Sequence, residues 1–281
     1  MKTIKHTLIA GLMGLAIVFT ISSCQKSFDP KSYAPVKPLP TFDGYSSSDA
    51  IETSNLVAYW NFSGNLTDSI TKATGTATLT SFAPGISGQA FQGAANGYAV
   101  CTAPTGLATL QTCTISAWVN TPPPSNGLLD YFTLANTGQF WGNIEMFFDN
   151  GSNNTDAHVR IHLSQNGNDN TFAAEVPNLF GTWVNLIFTY DTSGACTLYV
   201  NGASVATGTA GNLKGALAFT NVGNVVFGCT QFNTNPSQTS ATTAQPWAGY
   251  FTGKIDQVRV YNKVLSAQEI SAIYNLENLG R

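Results

Sequence analysis

Hydrophobic and polar positions alternate with period two along much of this chain, the spacing of strands that bury one face. Thr114-Ile115-Ser116-Ala117-Trp118-Val119 follows the rule, and so does His158-Val159-Arg160-Ile161-His162-Leu163. Residues 56–62 open the patterned region, residues 183–190 continue it and residues 255–261 are its last clear strand. Between the alternating runs 197–200 and 203–206 stands Asn201-Gly202. Both residues of a two-residue hairpin turn need positive φ, so this dipeptide predicts a tight hairpin. Helical spacing occurs once, at the end of the chain. Ser266-Ala267-Gln268-Glu269 matches a capping box, and Ile270, Ile273 and Tyr274 share one helical face. Many short strands with one terminal helix predict an all-β protein, a β-sandwich or jelly roll.

The first residues carry a different pattern. Lys2, Lys5 and His6 precede an apolar run from Leu8 to Ile21, then Ser22-Ser23 and Cys24. The run is short for a spanning helix and reads as a secretory signal with a small-residue cleavage site. A cysteine directly after such a site resembles the lipobox of bacterial lipoproteins. That implies cleavage before Cys24 and acylation of its thiol and new amino group, which together anchor stably. The expected organisation is a signal peptide over 1–23, a Pro- and Ser-rich tether over 24–53, and one domain over 54–281. The expected location is a membrane-anchored lipoprotein of the periplasm, outer membrane or cell surface.

Charge narrows the partners. The chain has 12 Lys+Arg and 15 Asp+Glu; losing Lys2 and Lys5 with the signal leaves 10 basic against 15 acidic side chains, a net charge of −5. No basic cluster survives, which argues against nucleic acid and against anionic lipid surfaces as partners. The exported setting permits disulfides, and Cys101, Cys113, Cys196 and Cys229 allow three pairings or none.

The ordered landmarks carry a resemblance. Leu56-Val57-Ala58-Tyr59-Trp60-Asn61-Phe62 is followed by Asp68-Ser69, then Pro84-Gly85-Ile86-Ser87-Gly88-Gln89-Ala90-Phe91. Gly97-Tyr98-Ala99-Val100, the runs at 114–119 and 183–190, and Leu198-Tyr199-Val200-Asn201-Gly202 come next. Residues 253–262 and Leu265-Ser266-Ala267-Gln268-Glu269-Ile270 end the set. It resembles the laminin-G-like, concanavalin A-like jelly-roll domains of bacterial surface proteins. The resemblance implies a convex and a concave antiparallel sheet, with glycan binding common on the concave side. It also implies a structural calcium, with Asp68 and Asp256 at the matching positions; backbone carbonyls would have to complete the shell.

Such folds host lectins, glycanases and adhesion modules alike, so the site decides. A retaining glycanase needs two carboxyl groups roughly 5 Å apart, which on one strand means acids at i and i+2. Residues 55–274 contain no such pair; Glu145 has Asp149 four positions on. His158 and His162 share a strand face and read as a pair on that face, each hydrogen-bonded to neighbouring residues. A non-catalytic binding protein is therefore expected. Sugars are held by aromatic faces and read by amides and carboxylates. The candidate ligand-binding residues are Tyr131, Trp141, Asn143, Asn233 and Trp247, with Asn233 inside and Trp247 directly after a long polar segment over 231–246. Trp60, Trp118 and Trp183 fit core positions of the resemblance. A glycan partner is expected, with a protein-binding adhesion module and then a glycoside hydrolase as the competing readings.

Overall fold

A computed structural model describes residues 38–125, 127–165 and 167–281. The signal segment, Cys24 and the first part of the tether lie outside them. In chain order the strands of the first half are β1 (Leu56–Trp60), β2 (Gly75–Thr78), β3 (Ser81–Pro84), β4 (Gln89–Gln92), β5 (Tyr98–Cys101), β6 (Cys113–Asn120) and β7 (Leu129–Asn136). The second half holds β8 (Ile144–Phe148), β9 (Asp156–Gln165), β10 (Asn168–Pro177), β11 (Val184–Tyr190), β12 (Ala195–Val200), β13 (Ala203–Thr209), β14 (Val222–Phe227) and β15 (Lys254–Tyr261). The helix α1 (Ala267–Asn278) follows. Asn201 and Gly202 join β12 to β13 at φ 51° and 78°, the positive values the dipeptide predicts.

The strands form two antiparallel sheets, the expected jelly roll. The first is eight-stranded, ordered β13-β12-β11-β6-β15-β4-β3 with β1 also on β15. The second is seven-stranded, ordered β10-β9-β8-β7-β14-β5-β2. The alternation read from the sequence sorts side chains between layers. Ile115, Ala117 and Val119 of β6 face Ile144, Met146 and Phe148 of β8 in one buried core. The intervening residues of each strand point outward. In β15 the pairing slips between Asp256 and Arg259, and Gln257 takes φ 49°. That bulge puts Asp256 and Arg259, three apart, on the same outer side.

α1 covers the outer face of the first sheet. Its Ser266 cap accepts from the Glu269 N–H at 3.2 Å while the Glu269 carboxylate accepts from the Ser266 N–H at 2.6 Å. Ile270, Ile273 and Leu276 then pack on Leu56, Tyr59, Ile187 and Tyr261. Trp118, which the sequence pattern assigns to packing, is buried in this outer layer, stacked on Tyr274 at 5.6 Å. Arg259 is buried beside it, donating from Nε to Glu277 at 2.7 Å and from one terminal nitrogen to Asp49 at 2.7 Å.

Asp49 marks a correction to the domain boundary. The folded unit runs Pro40–Arg281, so residues 40–53 belong to the domain and not to the tether. Ile51 is fully buried in the helix-side cluster, and Glu52 meets Lys263 at 2.6 Å. Proline and serine density gave this segment a linker composition, but one apolar anchor and two ion pairs suffice to seat it. Among the described residues no helix is long and apolar enough to cross a membrane. Cys101, Cys113, Cys196 and Cys229 are buried free thiols. Cys113 and Cys196 both pair with Tyr190, from opposite sides. Two strand spacings, roughly 9–10 Å, exceed the Cα separation a disulfide tolerates.

Candidate functional site

The outer face of the second sheet is finished by loops instead of a helix. Outward residues of its centre are Thr133 on β7, Glu145 and Phe147 on β8, and His158, Arg160 and His162 on β9, as the cross-strand pairs Thr133–Glu145, Glu145–His162 and Phe147–Arg160 show. The irregular segment 229–251 lies over one side of this face. It is held by the loop before β7. Leu128 bridges Ala248 in parallel, and the Gly249 N–H donates to the Leu128 carbonyl at 3.0 Å. Gly127 sits at φ 67°, and a Cβ there would overlap the Trp247 carbonyl oxygen, so only glycine permits this closure.

Between these loops and β8–β10 runs a groove of about 510 Å³. Trp141, Phe147, Asp149, Arg160, His162 and Trp247 dominate its walls. Trp141 lies parallel to Phe147, 4° from coplanar at 6.1 Å. Trp247 stands 5.9 Å from Trp141 and is backed by Phe140 and Phe232 at 6.2 and 5.6 Å. Trp141 is half-buried among Phe140, Phe147, His162 and Phe232, whereas Trp247 is 41% exposed and is the more open ring of the two. That arrangement suits stacking on a flat, weakly polar ligand face.

The polar floor is a charged ladder. Arg160 donates to Glu175 at 2.9 Å and approaches Asp149 at 3.5 Å. His162 meets Trp141 and Phe147 edge-on at 4.7 and 4.8 Å. Burial, with Arg160 nearby, lowers its pKa to about 4, so the imidazole is neutral near pH 7. Its Nδ1 lies 3.3 Å from Asp169 but makes no hydrogen bond, and with a neutral ring this is a polar contact and not an ion pair. Farther along β9 and β10, outside the groove lining, Asp156, His158 and Glu175 hold ligating atoms within 4.8 Å of one another. All three are solvated, and the contacts are ordinary surface pairing.

Of the sequence-predicted site residues, the structure brings Trp141 and Trp247 together and removes three. Tyr131 is fully buried, its ring 5.3 Å from Phe148 in the core between the sheets, so it offers no face to a ligand. Asn143 is fully buried; its amide donates to the Ala135 carbonyl and accepts from Asn136, which closes the β7–β8 turn. Asn233 donates to the Ala248 carbonyl at 2.8 Å and accepts from the Gln245 N–H at 3.0 Å. Both ends of its amide are spent on bracing the covering loop. A larger cavity of about 570 Å³ lies behind that loop, beside Asn233, Gln245 and Tyr250. Tyr250 uses its hydroxyl on the Asn233 carbonyl, and no indole opens there. Phe147, Asp149, Arg160 and His162 were not foreseen as a site. The i, i+2, i+4 spacing of His158, Arg160 and His162 was the available signal.

Asp68 and Asp256 do not fit the calcium the resemblance implies. Both are fully buried. Asp68 accepts from the Tyr59 N–H on one oxygen and from the Thr71 N–H and hydroxyl on the other, each at 2.6 Å. Asp256 accepts from Ile86 at 2.8 Å and Ser87 at 3.3 Å on one oxygen, and from the Gln257 N–H at 2.8 Å on the other. N–H groups aimed at both oxygens present positive ends where a cation would sit. Each acid shapes a turn, and burial pushes the Asp256 carboxyl up to about 7. The sequence also suggested no acid pair on a single strand. Asp130 on β7 and Glu145 on β8 share a sheet face, but both are wholly buried and neither lines the groove.

Comparison with known proteins places the fold. The binding domain of paraclostridial mosquitocidal protein 1 superposes with a TM-score of 0.58 at 14% identity, covering 79% of this chain and 52% of that one. A botulinum neurotoxin type C structure, from work on cell entry through two ganglioside molecules, gives 0.59 at 14%, covering 82% and 53%. This chain thus spans about half the length of those toxin chains. Domain 4 of AbnA, a GH43 extracellular arabinanase from Geobacillus stearothermophilus solved with arabinotriose, gives 0.50 at 19% and covers 78% of this chain and 98% of that one. At such identities the likeness is one of fold. Among curated proteins no sequence matches. Residues 93–271, more than half the chain, match the laminin-G profile of the concanavalin A-like lectin/glucanases superfamily, and to that superfamily the protein belongs.

Proposed function

We propose that the groove between the covering loop and β8–β10 binds a glycan, without catalysis, on a domain displayed from a membrane by lipid on Cys24. The observation that carries the reading is one pairing: two indoles, half-buried Trp141 and exposed Trp247, line the same groove as the Asp149–Arg160 pair. Indole rings take the apolar face of a sugar ring, while a carboxylate and a guanidinium read its hydroxyls. The toxin domains and the arabinanase domain that share the fold are themselves binding domains or were solved with a sugar. The wholly buried Asp130–Glu145 pair offers no acid to a substrate in the groove.

A glycan array on the soluble domain tests the ligand. Trp247→Ala is expected to lose tenfold or more of glycan affinity, on the order of 2 kcal/mol for a stacking anchor, with little change in Tm. Retained binding would refute the groove. The anchor has its own test: Cys24→Ala should move the protein out of the membrane fraction, and a variant that stays fully membrane-bound would refute lipidation.

A further inference from the structure

The charges around the groove are one-sided. The strands of the second sheet contain one arginine, Arg160, and no lysine, and the covering segment 229–251 contains no charged residue at all. Four acids surround that single fixed cation. Asp149 and Glu175 contact Arg160 directly, Asp156 lies 3.7 Å from His158, and Asp169 lies 3.3 Å from His162. His162 is neutral near pH 7 and adds no positive charge. His158 stands between Asp156 and Glu175, so a proton on its ring would already be matched.

Arg160 is also spent. A guanidinium carries five N–H donors, and its value for acidic ligands is the fork that takes a carboxylate through two parallel bonds. Here one terminal nitrogen donates to the Val159 and Ala174 carbonyls at 3.1 and 3.4 Å. The other donates to Glu175 at 2.9 Å, and Nε lies 3.5 Å from Asp149. The register permits this. Ala173 stands directly opposite Arg160 on β10 and offers only a methyl, so the long side chain reaches past it to Ala174 and Glu175. Both prongs are thus occupied from the protein side. What remains is an N–H for a hydroxyl, not a fork for a carboxylate. Glu175 itself lies outside the groove lining and is half exposed.

We propose, resting on the glycan-binding reading above, that the groove takes uncharged glycans and rejects those bearing carboxylate or sulfate, with Glu175 as the specificity-determining residue that locks Arg160. A cleft lined by one sign of charge concentrates its field on whatever enters. An acidic sugar stacked at Trp247 meets Asp149 without a free cation to answer it. A neutral ring meets the same carboxylate as a hydrogen-bond acceptor for its hydroxyls.

The test is a panel on which each neutral oligosaccharide is paired with its C6-oxidised, uronate-bearing counterpart, probed with the soluble domain at low salt. In every pair that binds, the neutral member should bind at least tenfold more tightly, and added salt should narrow the gap by screening. Glu175→Gln should keep Tm and neutral affinity while raising uronate affinity several-fold, because the guanidinium is released. Adding Arg160→Gln to that variant should cancel the gain, which a merely structural role for Glu175 would not produce. If the parent holds uronates as tightly as their neutral partners, the selectivity falls and the glycan reading stands. If no member of the panel is retained, the glycan reading fails and takes the selectivity with it. A Glu175→Gln variant with the parent's uronate-to-neutral ratio would overturn the lock.

Discussion

The outer faces of the two sheets are built from the same strand alternation and finished in opposite ways. On the first sheet α1 and residues 40–53 cover the centre, so Tyr59, Tyr261 and Ile187 become a second core. Its charges are matched there: the Arg259 guanidinium lies 3.7 Å over the Tyr59 ring and bonds Glu277, and Glu277 also accepts from the Trp118 indole at 2.7 Å. On the second sheet an irregular loop covers only one side. It leaves the Trp247 ring open at 41% exposure. A helix presents a continuous apolar stripe with its own backbone satisfied, and so can close a face. A loop must spend side chains such as Asn233 on its own main chain, and the surface it leaves behind is free for a ligand.

Perturbing each face should give a different signature. The largest effect is expected on the sealed side. Arg259→Ala leaves Glu277 buried without its partner, a loss of roughly 3–5 kcal/mol, read as a fall in Tm with glycan binding preserved wherever the domain is folded. A variant as stable as the parent would show that α1 does not depend on the pair. On the open side Trp247→Ala should do the reverse, removing affinity with little change in stability. If both substitutions lower Tm alike, the two faces are not functionally distinct.

The smallest effect is a pH slope. His162 has a folded pKa near 4 against 6.5 for an ordinary histidine, so the unfolded chain binds the proton first as pH falls. Its contribution is complete above pH 6.5 and drains away between there and 4, by about 1 kcal/mol from pH 7 to 5.5. His162→Gln should flatten that part of the Tm–pH curve relative to the parent. An unchanged slope would place the imidazole in water.

The sandwich was legible because each strand carries its own period. Residues 114–119 bury alternate side chains wherever their partners lie, and Asn201-Gly202 turns the chain with two residues. The capping box at Ser266 and Glu269 is equally local. Trp141 and Trp247 could be singled out because the strand pattern did not claim them. What they meet could not be read. Asp149 and Arg160 come from the end of β8 and from β9, and Trp247 from a loop more than eighty residues later. Tyr131 illustrates the opposite failure. Beside Phe132 in an aromatic stretch, it reads as a ligand residue, but the slip near Asp130 turns it inward.

Taken alone, the sequence determined the fold class, the tight hairpin, the capped helix and which two indoles stood outside the pattern, since these depend on periods and spacings within a few residues. Tertiary structure decided the rest. It drew residues 40–53 into the domain, satisfied Asp68 and Asp256 with main-chain N–H groups, and buried Asp130 and Glu145 on the second sheet. A carboxylate's role is fixed by the donors and charges within a few ångströms of it, and in a sandwich those neighbours come from strands far apart in the chain.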